Sequence, residues 1–119
     1  MPRFLMVARD DNAAFASLGP AETQAVIQKY IAWSQGLRAS GNLQLGEKLR
    51  DGEGRVVSRR DGKVHVTDGP FVETKEILGG FWLLEASSYD QARQMAESCP
   101  HLQFGSLEIR AIEELDRSS

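Results

Sequence analysis

Residues 79–84 read Gly79, Gly80, Phe81, Trp82, Leu83, Leu84. Two glycines open the run, and four large apolar residues then fill both faces of one strand. Residues 3–8 repeat the pattern, with Phe4, Met6 and Ala8 alternating with Leu5 and Val7. Strands of this kind need cover on both sides of their sheet, because an apolar face of several hundred Å² is unusual on a monomer.

Working outward toward the C terminus, Ser87 or Ser88 is placed to cap a helix. Its apolar stripe is Tyr89, Ala92, Met95, Ala96 and Cys99, and Pro100 stops it. Leu107, Ile109 and Ala111 then alternate with Glu108 and Arg110 in a last strand. Toward the N terminus, Asp61 and Gly62 form a two-residue hairpin turn. That turn sets Arg60 opposite Lys63, Arg59 opposite Val64, Ser58 opposite His65 and Val57 opposite Val66. Val57, Val64 and Val66 share one face, and His65 faces solvent on the other. Further back, Leu43, Leu45 and Leu49 alternate with Gln44, Gly46 and Lys48 in a strand. A helix beginning near Pro20 places Val26, Ile27, Tyr30, Ser34 and Leu37 on one side and stops at Gly41. Residues 10–19 read as a polar loop.

The order is β-α-β, hairpin, β-α-β. It predicts an α+β fold, a ferredoxin-like split βαβ with an inserted β-hairpin. Residues 1–113 form a single domain and 114–119 a polar tail. Two helices cover one sheet face only. The two-faced strands therefore predict a homodimer that packs sheet face on sheet face.

Composition narrows the function classes. The chain has 119 residues and a net charge of -3. Its most basic stretch, residues 48–63, mixes Lys48, Arg50, Arg55, Arg59, Arg60 and Lys63 with Asp51, Glu53 and Asp61. That argues against nucleic acid as a partner. The longest apolar run, residues 4–8, is far too short to enter a membrane. Cys99 is the one cysteine, so no intrachain disulfide forms, and a cytoplasmic location is expected. Neither a metal nor a cofactor is indicated by any ligand spacing, and no phosphate loop is present.

Residues 68–76 carry the most distinctive motif: Asp68, Gly69, Pro70, Phe71, Val72, Glu73, Thr74, Lys75, Glu76. Asp-Gly-Pro is a turn, Phe71 pins it to the core, and the charged residues follow. Together with Leu78-Gly79-Gly80-Phe81, Cys99-Pro100-His101 and residues 105–110, the motif resembles the DGPF branch of the YCII-related family. The resemblance implies a dimeric α+β barrel, in agreement with the two-faced strands. It also implies two kinds of partner, since some DGPF-type proteins are encoded beside sigma factors and some relatives are enzymes acting on chlorinated hydroxyaromatic compounds. Those enzymes are thought to use a His-Asp pair. The position of the histidine, eleven residues before a glycine that matches Gly41, is held here by Tyr30. The position of the aspartate, before the proline that follows the second helix, is held by Cys99.

Two functions follow as expectations. The first is a small-molecule-binding or regulatory module, associated with a sigma factor. The second is an enzyme, acting without a cofactor on a small aromatic or oxygenated metabolite. The candidate ligand-binding residues are Tyr30, Trp33, Asp68, Glu73, Lys75, Cys99 and His101. Tyr30 and Cys99 are placed to face each other across a pocket between helices and sheet, bordered by the acidic motif. His101 is a candidate partner for the Cys99 thiol, with capping of the helix end as its structural role.

Overall fold

Alternating apolar residues build the sheet, and its order is that of the split βαβ. The computed structural model describes residues 1–11, 17–50, 52–68 and 76–115. In chain order the elements are β1 (Arg3–Asp11), α1 (Pro20–Ala39), β2 (Leu43–Lys48), β3 (Arg55–Arg60), β4 (Lys63–Asp68), β5 (Glu76–Glu85), α2 (Tyr89–Glu97), a 3-10 turn (Pro100–Gln103) and β6 (Gly105–Ala111). Strands β2, β5, β1 and β6 lie side by side in that order, all antiparallel. Strands β3 and β4 form a separate two-stranded ribbon. The chain is therefore α+β with the expected topology.

The hairpin has the expected register: Arg60 faces Lys63, Ser58 faces His65 and Val57 faces Val66. Asp61 and Gly62 both take positive φ, 53° and 76°, as a primed turn requires. Its three valines stay exposed, Val57 at 66%. This outlying ribbon contributes to a radius of gyration of 16.6 Å, against about 13.5 Å for a compact chain of this length.

The core lies between the sheet and the helices. Phe4, Met6, Leu43 and Leu84 rise from the sheet and meet Ala86, Ala92, Met95 and Ala96. The small Ala92 and Ala96 let α2 approach closely. Helix α1 behaves differently, since Val26 is its one buried residue. Ile27 and Ile31 remain 42% and 44% exposed. Trp33 stands edge-on to Trp82, with ring centroids 5.4 Å apart, where α1 meets the sheet. Its indole N–H donates to the Met95 carbonyl at 3.3 Å and to Ser98 Oγ at 3.1 Å.

Two local features depart from the sequence expectation. Strand β1 continues through Asp10 instead of yielding to a loop at Asp10. An irregularity at Ala8 and Arg9 shifts the pairing from Ala8–Gly80 to Arg9–Leu78, so Gly79 is left over on β5 as a bulge. The second departure is in β2. Leu43 pairs with Leu84 and Leu45 with Leu83, which leaves Gln44 as the extra residue. Leu43 therefore enters the core while Leu45 joins the opposite face. On that opposite face Leu5, Val7, Leu45, Phe81 and Leu83 lie together by register, and among the described residues no helix covers them.

Candidate active site

Helix α1 stands off the sheet and leaves a cleft of about 730 Å³, within the range of small-molecule sites. Ile27 and Ile31 from α1 face Trp82 and Ala8 from the sheet across it. Gly46, Gly79 and Gly80 also line it. The glycines are required by close approach: a Cβ at Gly46 would strike the Trp82 indole, and one at Gly80 would lie 2.8 Å from the Glu47 carbonyl oxygen.

Three polar side chains meet at one wall. Tyr30 Oη lies 2.9 Å from His101 Nδ1. His101 Nε2 lies 3.0 Å from the Arg9 carbonyl oxygen and 2.9 Å from Asp10 Oδ1. A carbonyl oxygen only accepts, so Nε2 carries the proton. In the neutral ring Nδ1 is then the acceptor, and the Tyr30 hydroxyl donates to it. The line runs Tyr30, His101, Asp10. A protonated His101 would have a carboxylate at its back.

The backbone explains how this line forms. Pro100 opens the 3-10 turn that carries His101, which is 3% exposed. Gly105 and Gly79 leave space on either side. A Cβ at Gly105 would collide with the Arg9 carbonyl and come within 3.1 Å of His101 Nε2. A Cβ at Gly79 would collide with the Asp10 carboxylate. The β1–β5 bulge is thus what admits Asp10 to the site, in keeping with the frequency of bulges beside functional sites.

Protonation is set by burial. The Tyr30 phenol is pushed above its ordinary range, first by desolvation and then by the charges that Cys99 and Asp10 would carry. Burial raises the Cys99 thiol to about 11, against a smaller opposite pull from a hydrogen bond with the His101 backbone. At neutral pH both groups keep their protons. Cys99 is a buried thiol and not an activated nucleophile.

The expected site residues thus separate. Tyr30, Cys99 and His101 come together. His101 does not cap the end of α2; the Ser98 backbone N–H serves there, and His101 turns inward to Tyr30 and β1. Trp33 sits behind Trp82 and braces α1 against α2. Asp68 lies on the exposed ribbon, 3.4 Å from Arg55, and does not line the cleft. Glu73 and Lys75 fall outside the described residues. Asp10, Trp82 and the cleft-facing isoleucines are additions. The one sequence signal for Asp10 was an acidic pair directly after an apolar strand. Among the described residues no three His, Cys, Asp or Glu side chains cluster as metal ligands. No helix among them is long and apolar enough to cross a membrane.

Comparison with known proteins gives three findings. The YCII-related domain matches residues 2–116. An uncharacterised protein of Rhizobium meliloti (strain 1021), R00369, is 42% identical over 112 residues, covering 92% of this chain and 90% of that one. Among solved structures, 5-chloro-2-hydroxyhydroquinone dehydrochlorinase from Burkholderia phenoliruptrix AC1100, in complex with 2,5-dihydroxybenzoquinone, is 20% identical with a TM-score of 0.47, each chain being covered to 93%.

Proposed function

The chain belongs to the YCII-related family, and we propose that its cleft binds a small oxygenated ring compound and exchanges a proton with that compound's hydroxyl group. The observation that carries this reading is the line from Tyr30 through His101 to Asp10 at the wall of an apolar cleft. Tyr30 stays protonated, so it acts as a conduit and His101 as the base. The ligand's O–H proton passes to Tyr30 Oη as the Tyr30 proton passes to Nδ1. The imidazolium that forms faces the Asp10 carboxylate, and the ligand is left as an oxyanion. This is the opening step of a keto–enol isomerisation. Trp82, Ile27 and Ile31 favour a flat apolar body between the helix and the sheet.

A second reading is a regulatory module that reports occupancy of the cleft to a protein such as a sigma factor. The exposed strip of Val57, Val64 and Val66 favours it, because apolar strips of this kind suit protein contacts. Under either reading a second copy of the chain covers the open sheet face. A single, buried, protonated thiol suits the reducing cytoplasm.

Trp82 lines the cleft, so its fluorescence reports occupancy. Titration with a panel of phenols, quinols and cyclic enols is expected to produce a saturable change for at least one member. The change should weaken in Tyr30→Phe and vanish in Trp82→Phe. A folded protein whose fluorescence responds to no member of the panel would refute the proposal.

A further inference from the structure

The size of the cleft and the shape of its floor set the class of ligand that fits. A cavity of about 150 Å³ is enough to take a benzene ring, and this cleft holds about 730 Å³. One ring placed at Tyr30 would leave most of the apolar wall facing water. Ile27 and Ile31 line the space and are 42% and 44% exposed, so a larger body has apolar area to cover.

The space runs across the strands. Tyr30 Oη lies 2.9 Å from His101 Nδ1, and His101 Nε2 lies 3.0 Å from the Arg9 carbonyl oxygen, so the Tyr30 end is beside β1. From there the lining continues over β5 to Gly46 of β2. Two strand spacings of about 4.8 Å make that span about 10 Å, wider than a single ring.

The floor of the span is flat. Ala8 pairs with Gly80, so its first part is a methyl group and bare backbone. Trp82 pairs with Gly46, and its indole lies over Gly46 in the space a Cβ would take. The indole is thus laid down from β5 across β2. Trp33 stands edge-on to it, with ring centroids 5.4 Å apart, and braces it there. Ile27 and Ile31 form the roof.

We propose that the ligand of the cleft is a hydroxylated fused-ring compound, with its hydroxyl at Tyr30 and its further rings lying on the Trp82 indole. This rests on the cleft being a small-molecule site. A rigid flat body matches the floor and stacks on the indole. It also loses no internal freedom on binding, unlike a single ring with a flexible tail of equal size.

The test compares phenol, 2-naphthol and 4-butylphenol by isothermal titration calorimetry. The last two have the same number of carbon atoms, and burial of apolar area alone would rank the butyl compound first. Wild type is expected to bind 2-naphthol about tenfold or more tightly than either of the others. Gly46→Ala pushes the indole off the floor and should bring 2-naphthol down to the affinity of phenol. Trp82→Leu, which removes the floor without adding bulk at β2, should do the same. Equal affinities for phenol and 2-naphthol, 4-butylphenol bound as tightly as 2-naphthol, or a 2-naphthol preference that survives both variants would overturn the fused-ring proposal and leave the small-molecule site standing. Binding of none of the three removes both.

Discussion

At the residue scale, the chemistry depends on keeping Tyr30 and Cys99 protonated. Both groups have raised pKa values in the fold, with the Cys99 thiol at about 11, whereas an unfolded thiol ionises near about 8.5 and a phenol near about 10. Above pH ~8.5 the unfolded chain releases a proton that the folded chain keeps, so ionisation favours unfolding. The stability contributed by the neutral thiol is complete below that pH and is lost as pH climbs to about 11. Tyr30 adds a loss of the same sign, starting at higher pH. The melting temperature should therefore fall through this alkaline window. Cys99→Ala should flatten the first part of the fall, and Tyr30→Phe the later part. A Cys99→Ala profile parallel to wild type from pH 8 to 11 would contradict the assignment.

At the element scale, α2 is held by its first turn. Ser88 Oγ accepts from the Gln91 N–H at 3.2 Å, while the Gln91 side chain accepts from the Ser87 N–H. Ser88→Ala should cost about 1 kcal/mol in urea unfolding, whereas an unchanged midpoint would show that the cap contributes nothing. This cap, the hairpin register and both two-faced strands could be read from local rules, since each is set by neighbours in sequence. The extent of β1 could not. Its apolar alternation ends at Ala8 because the strand from there borders the cleft instead of the core, and the Gly79 bulge is visible only once β5 is paired. The positions of Leu43 and Leu45 on opposite faces have the same cause, an extra residue in β2. For the site, Tyr30, Cys99 and His101 were legible from spacing and family resemblance. Asp10 was not, because it reaches His101 across 91 residues of sequence and through space cleared by two glycines.

At the scale of the whole molecule, one sheet face carries the core and the other presents Leu5, Val7, Leu45, Phe81 and Leu83. Ion pairs border that patch, Arg9 with Glu108 at 3.1 Å and Arg110 with Glu108 at 3.5 Å, as expected at an interface rim. Native mass spectrometry should find twice the 13.2 kDa chain mass. Leu83→Arg should yield a folded monomer, and a wild-type monomer would contradict the covered-face reading. The cleft lies on the other side of the sheet, so ligand binding is expected to survive in that monomer. The central claim is that the cleft takes a proton from a bound hydroxyl through Tyr30 and His101. It is tested most directly with 4-nitrophenol, whose ionised form has its own visible band. Bound to the wild-type protein, the probe should ionise at lower pH than it does free in solution. His101→Gln, or the milder Asp10→Asn, should abolish or reduce that shift while the probe still binds. A bound probe that titrates as it does in water, or a shift that persists without His101, would contradict the account.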